Sequence, residues 1–344
     1  MLNIGILGCK GTTLDLISSL TIAKVPIKCI ITLDERAAER NKVANAASRN
    51  LLEFAAGMDI ASAAVDDYSL RDEKSIKYFE DSRLDLLLVL GWERLLPTTI
   101  LQSIRLFACG MHGSSYGLPY GRGRSPLNWS LITGQRKFVT YLFRYTPGMD
   151  DGDILGFRVF DINEYDDISS LHQKNRIAMN ELILECLPAI EDGSIQFWNQ
   201  PAQTPTFYPR RTEDDGLIDW TASPTAICRF VRALAPPYPS AFTVHRGTQI
   251  GIQDAVPFDT TLGSHLLPPG TVLDVSESMK TFVVQASGGS VLVRQHSSSV
   301  PMDMQVGDTL DSDDWRSNIK KFEERYGTGV TPEQMEIRGG QVYP

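Results

Sequence analysis

A chain of 344 residues, 42% of them apolar, can build about two packed domains, and its formal charge of −9 disfavours an extended polyanion such as nucleic acid as partner. No run approaches the roughly 18 uncharged apolar residues of a membrane helix, and the opening MLNIGILGCKGTT reads as a strand entering a turn, so neither export nor a membrane partner is expected. The cysteines (Cys9, Cys29, Cys109, Cys186, Cys228) are odd in number and lack Cys-x-x-Cys spacing. That argues against a disulfide framework or structural zinc and for a reducing, cytoplasmic setting.

Short β-rich runs at 3–7, 27–32, 84–90 and 139–144 alternate with helical stretches, including an acidic, alanine-rich helix over 34–57. Such alternation predicts an α/β fold with a mostly parallel, Rossmann-like sheet, whose ligands bind beyond the carboxyl ends of the strands, in the loops following Leu90 and Phe107. Apolar spacing at Ile168, Leu171, Ile177, Leu182 and Leu184 predicts a long helix over 167–187. The proline-rich NQPAQTPTFYP at 199–209 suits a linker. A helix over 224–234 then leads into strand-like runs at 241–245, 249–254, 271–275, 281–285 and 290–295, which read as a small OB-like β-barrel. The expected division is an N-terminal domain over 1–198, the linker, the barrel over 210–310, and a charged tail over 311–344 with a helix at 313–326.

Three segments could carry chemistry. Gly8 to Gly11, GCKG, follows a strand but lacks the third glycine of a dinucleotide fingerprint and the Lys-Ser/Thr of a phosphate loop. It reads as a tight strand-to-helix turn, which speaks against an NAD-linked dehydrogenase. Gly110 to Trp129, GMHGSSYGLPYGRGRSPLNW, is irregular and costly to order, as functional loops are; His112 opens it, just after a β-like run at 105–108. The acidic PGMDDGDIL at 147–155 offers Asp150, Asp151 and Asp153. Their spacing allows a solvated acidic turn, an incomplete cation site without a closing glutamate, or a carboxylate facing His112 to orient it for proton transfer.

Together these clusters resemble the folate-dependent formyltransferases, the superfamily of methionyl-tRNA formyltransferase, glycinamide ribonucleotide transformylase and the nucleotide-sugar N-formyltransferases. The family core runs Asn-x-His-Pro-Ser-Leu-Leu-Pro, Tyr-Arg-Gly, Pro-x-x-Trp and Val-Asp-x-Gly-Asp-Ile. Here His112, Ser114, Leu118, Pro119, Tyr120, Arg122, Gly123, Pro126, Trp129 and the run from Met149 to Ile154 match it in order. FYPRRTEDDGLIDW (207–220) and VRALAPPYPSAFT (231–243) resemble the hinge and C-terminal domain of the larger members.

The resemblance implies that His112 and Asp150 are catalytic, and that Gly110 stands where the family has an asparagine whose amide hydrogen-bonds the formyl oxygen. It implies 10-formyltetrahydrofolate as donor, released as tetrahydrofolate, lying against Leu90, Gly91, Trp92, Glu93 and Leu96 on one side and Met149 and Asp151 on the other; no metal is required. Acceptor binding falls to Ser114, Tyr120, Arg122 and Arg124 in the loop and to Tyr208, Arg210 and Arg211 at the domain junction. The acidic charge and the RGRSPLNW phrase favour a nucleotide-linked amino sugar over tRNA, and sugar N-formyltransferases suggest a homodimer. Methionyl-tRNA formylation and a non-catalytic or hydrolytic folate binder are the alternatives.

Overall fold

The computed structural model describes residues 1–43, 45–208, 211–262, 267–297 and 303–312. Arg210 and the helix expected over 313–326 lie outside them. The N-terminal part runs β1 (Ile4–Leu7), α1 (Gly11–Ile22), β2 (Ile27–Leu33), α2 (Glu35–Arg40), α3 (Ser48–Gly57), β3 (Ala61–Val65), α4 (Glu73–Ser82), β4 (Leu86–Val89), α5 (Thr98–Ser103), β5 (Phe107–Ser114), β6 (Arg122–Gly123), α6 (Pro126–Ile132), β7 (Lys137–Arg144), β8 (Ile154–Asp161) and α7 (Ile168–Asp192). The C-terminal part runs β9 (Phe207–Tyr208), a 3₁₀ turn (Glu213–Gly216), α8 (Pro224–Ala233), β10 (Ala241–His245), β11 (Thr248–Pro257), β12 (Val272–Ser276), β13 (Thr281–Ala286) and β14 (Gly289–Ser297).

β1 (IGIL) and β4 (LLLV) are buried along their whole length, so they have no polar face to give to water and occupy the centre of a covered sheet. The order is β3-β2-β1-β4-β5-β7-β8, parallel from β3 to β5 and antiparallel at β7 and β8. Strand order reverses between β1 and β4. The carboxyl ends of β1 and β4 therefore open a crevice, as expected for such sheets.

Two local expectations change. The helix over 34–57 is two helices, because the backbone of 45–47 is drawn into pairing with the β1–α1 turn: Gly11 N donates to Asn45 O at 3.0 Å and Ala47 N to Cys9 O at 2.9 Å. His112 does not follow a strand end but lies inside β5, opposite Tyr141 of β7. The glycine-rich stretch carries little strand propensity of its own, and pairing with β7 supplies the ladder that makes 109–114 extended.

The C-terminal strands form a five-stranded antiparallel sheet in the order β10-β11-β14-β13-β12. Its hydrogen-bonded ladder runs from β10 to β12, and among the described residues these two edges are not paired, so the strands expected to close as an OB-like barrel form an antiparallel sheet whose closure is not shown. Its apolar face packs with α8 and α6 into one core that includes Trp129, Trp220, Ile227, Val231 and Phe282. Asn128 Nδ2 donates to Ala233 O at 2.8 Å and Arg232 Nε to Asp166 O at 2.9 Å, tying the two parts together. All five cysteines are buried and unpaired, and no helix among the described residues is long and apolar enough to cross a membrane.

α7 starts at a dense acidic turn. Asp167 caps it, accepting from Ser170 N at 2.8 Å, while neighbouring Asp166 accepts from Lys174 Nζ at 2.6 Å, Ser170 Oγ at 2.7 Å and Asn163 N at 2.8 Å. Burial works to raise the Asp166 pKa, but these donors outweigh it and hold it below the ordinary carboxylate range. A depressed native pKa contributes stability above the unfolded value of about 4, and that contribution is lost as pH falls through the native value. Asp166→Ala should therefore lower the unfolding free energy by about 2 kcal/mol at pH 7. In denaturant titrations the gap to the native protein should shrink once the pH drops below about 4.

Candidate active site

The site is assembled where the chain leaves β7 and returns as β8. Arg144 N donates to Asp153 O at 2.8 Å, closing the loop at its base. The return is so tight that a Cβ on Gly152 would lie 1.7 Å from the Arg144 carbonyl oxygen, which only glycine permits. Thr146 Oγ1 hydrogen-bonds Asp151 Oδ1 and accepts from Gly148 N at 3.1 Å, cross-bracing the loop. Asp150 is left at φ +50°, a left-handed conformation that costs a non-glycine residue about 1 kcal/mol.

That strained turn aims the Asp150 carboxylate at His112. Asp150 Oδ2 lies 3.5 Å from His112 Nδ1 and accepts from Gly123 N at 3.2 Å, while His112 Nε2 lies 2.9 Å from Gly121 O. The imidazole is 9% exposed and the carboxylate 21%, so the pair is sheltered without being sealed. Each ring nitrogen faces an oxygen acceptor, so a proton can rest on either one with a partner at hand. The 3.5 Å separation is longer than a formed hydrogen bond and leaves room to tighten around a bound substrate.

Gln200 lies in the proline-rich linker, where no sequence pattern marks it. It holds the arrangement from outside: Nε2 donates to the carbonyls of Asp150 (2.7 Å) and Gly152 (2.9 Å), and Oε1 accepts from Arg122 Nη2 at 2.6 Å. The linker is thus part of the site. Its β9 pairs with β6, Gly121 N donates to Thr206 Oγ1 at 2.8 Å, and Tyr120 Oη hydrogen-bonds Gln203. No local signal marks a glutamine in a linker as a clamp; only the pairing of β6 with β9 exposes the role.

The other residues singled out from sequence fall in three places. Leu90, Trp92 and Leu96 are buried at the mouth of β4, Gly91 has φ +77°, and Met149 and Asp151 are exposed on the acidic loop. Glu93 bridges Lys10 of the GCKG turn and Arg124, whose Nη2 lies 3.0 Å away. Burial works to raise its pKa, but these two cations hold it below the ordinary range. Arg122 lies beside the acidic loop, and its pKa is lowered by burial, against the opposing pull of Asp151 and Asp150. Ser114 and Tyr208 point inward: Ser114 Oγ accepts from Tyr116 N at 3.1 Å, and Tyr208 stacks on Trp129 with ring centroids 5.6 Å apart. Arg211 lies over the Trp129 and Phe230 rings at 5.3 and 5.2 Å and donates to the Asp215 carbonyl; burial pulls its pKa down to about 10. Among the described residues no cluster of three or more His, Cys, Asp or Glu side chains is arranged to hold a metal ion.

A histidine facing a carboxylate in this way is an arrangement able to carry a proton during group transfer. A family profile described as "Formyl transferase" matches residues 15–187, and one described as "Formyl transferase, C-terminal domain" matches 211–311. A methionyl-tRNA formyltransferase of Enterococcus faecalis is 29% identical over 292 residues, covering 85% of this chain and 90% of that protein. Among solved structures, HypX from Aquifex aeolicus in complex with tetrahydrofolic acid shares the fold at TM-score 0.57 and 17% identity over 96% of this chain, which spans 48% of HypX. An N-formyltransferase from Helicobacter canadensis, in complex with folinic acid and dTDP-3-aminofucose, does so at TM-score 0.60 and 14% identity, covering 86% of this chain and all of that one. The chain belongs to the formyl transferase family, and it is a formyltransferase.

Gln200→Ala should leave the fold intact, since the side chain contacts loop backbone rather than core, yet lower turnover roughly ten- to a hundredfold by letting the acidic loop drift. Steady-state turnover measured beside the thermal midpoint checks this; a large fall in the midpoint with unchanged turnover would show a merely structural contact.

Proposed function

We propose that the protein transfers a formyl group from 10-formyltetrahydrofolate to the primary amine of a nucleotide-linked amino sugar, with His112 and Asp150 managing the proton. The observation that carries this reading is the contact of His112 Nδ1 with Asp150, made on the same loop whose Met149 to Ile154 run matches the family motif. In this reading the donor lies between the irregular backbone after β4 and the 146–152 loop. Trp92 forms the floor at this end of β4, buried and packed edge-on against Tyr68 with ring centroids 4.7 Å apart.

When bound, the folate supplies an electrophilic formyl carbon. The protein's part is alignment and proton transfer. His112 takes the proton that the attacking amine sheds and returns it to the departing folate nitrogen. Asp150, held by Gly123 N and by Gln200 on its carbonyl, orients the ring and offsets its positive charge while the proton is there. A bound amine needs no covalent enzyme intermediate, because it is already a competent nucleophile once deprotonated and aligned.

The charge of −9 supports a small acceptor over tRNA, because one or two phosphates need only a few arginines whatever the net charge. Arg122 and Arg124, flanking Gly123 at the mouth, are the acceptor-binding residues in this reading. A second reading, methionyl-tRNA as acceptor, is favoured by the name of the Enterococcus faecalis relative. Tetrahydrofolate release should be followed against nucleotide-linked 3-amino and 4-amino sugars, methionyl-tRNA and no acceptor. Sugar-dependent turnover that falls at least a hundredfold in His112→Ala is the expected result. Turnover with tRNA alone would replace the acceptor, and release without acceptor would make the protein a hydrolase.

A further inference from the structure

Gly110 and His112 are two residues apart on β5, so a side chain at 110 would project to the same face of the sheet as the imidazole. That space is taken. A Cβ built on Gly110 would lie 2.4 Å from Cε2 and 3.1 Å from Cζ of Tyr145, and 2.8 Å from the Val89 carbonyl oxygen. The tyrosine ring therefore stands where any residue 110 side chain would begin. Its hydroxyl, one bond beyond Cζ, reaches the neighbourhood that such a side chain would serve.

The ring is well fixed. Tyr145 N donates to Ala108 O at 2.8 Å, and the ring stacks on Phe143 with centroids 5.5 Å apart and planes 10° from parallel. The ring is only partly buried, and the hydroxyl makes no hydrogen bond with any described residue, so it is left to a partner from outside the chain. Burial, reinforced by the Asp150 charge, drives its pKa well above the ordinary tyrosine value, so it keeps its proton and remains a donor.

We propose that the Tyr145 hydroxyl is a catalytic hydrogen-bond donor to the formyl oxygen, taking the place of a side chain that Gly110 cannot provide. The proposal rests on the formyl-transfer reading. In the step it serves, the amine nitrogen forms a bond to the formyl carbon while the carbonyl electron pair moves onto the formyl oxygen, where the Tyr145 O–H stabilises it. The pair then returns, the bond from the formyl carbon to the folate nitrogen breaks, and the proton shed by the amine reaches that nitrogen through His112. Tyr145 keeps its own proton throughout.

Tyr145→Phe removes the hydroxyl and keeps the ring that fills the space beside Gly110. With whichever acceptor supports native turnover, kcat should fall roughly a hundredfold, the usual cost of losing one such donor. Affinity for a stable formyl analogue, 10-formyl-5,8-dideazafolate, should change less than about threefold, because a donor that acts on developing charge contributes little to ground-state binding. The infrared stretch of that analogue's ¹³C-labelled formyl carbonyl should lie lower when bound to the native protein than to Tyr145→Phe. An equal stretch and an unchanged kcat in the variant would overturn the role of Tyr145 and leave formyl transfer standing. A native protein that neither binds the analogue nor turns over any acceptor would instead overturn the formyl-transfer reading, and the role of Tyr145 with it. Binding with the carbonyl shift lost in Tyr145→Phe, but no turnover, would support the role and show that the acceptors tried are wrong.

Discussion

The site depends on one steric constraint, the near contact of residue 152 with the Arg144 carbonyl, which only glycine can satisfy. That closure brings β8 back against β7 within a few residues and leaves Asp150 in a left-handed conformation. The strain is small against the stability of a domain, yet it decides where the carboxylate goes. Without it, Asp150 would be one more solvated acid on an acidic protein. With it, the carboxylate meets His112 on the neighbouring sheet position and the backbone N–H of Gly123.

The elements around this turn act as supports. β7 pairs with 109–114 and gives a glycine-rich segment the regularity to hold His112 in line. The linker lies along the 120–124 segment, so that β6, β9, Thr206 and Gln200 tie that segment and the acidic 146–152 loop to the chain leading into the C-terminal sheet. That sheet in turn shares its core with α6, the helix that follows the loop. Positioning of the His112–Asp150 pair thus draws on packing well away from it, which is how a rigid scaffold keeps a strand residue and a loop residue in register.

Much of this was legible in the sequence, for identifiable reasons. The buried parallel strands announce themselves as short aliphatic runs, and His112 and Asp150 stand out because histidine and clustered carboxylates beside glycines are unusual company. What escaped depends on contacts distant in sequence. The break in the 34–57 helix comes from pairing with the β1–α1 turn, and the strand around His112 comes from β7. Ser114, Tyr208 and Arg211 carry functional-looking side chains that the fold turns inward. Gln200 and Tyr145 carry no motif; their places follow only from which backbone atoms they meet.

In the proposed mechanism His112 and Asp150 form one device, the carboxylate acting only through the ring it orients. The measurement that tests this most directly is a double-mutant cycle on single-turnover formyl transfer, comparing His112→Ala, Asp150→Asn and the double variant. Groups that work as a unit are strongly non-additive, so the double variant should lose about as much as His112→Ala alone. Losses that multiply would mean that Asp150 acts on the substrates independently of His112, and would contradict the account.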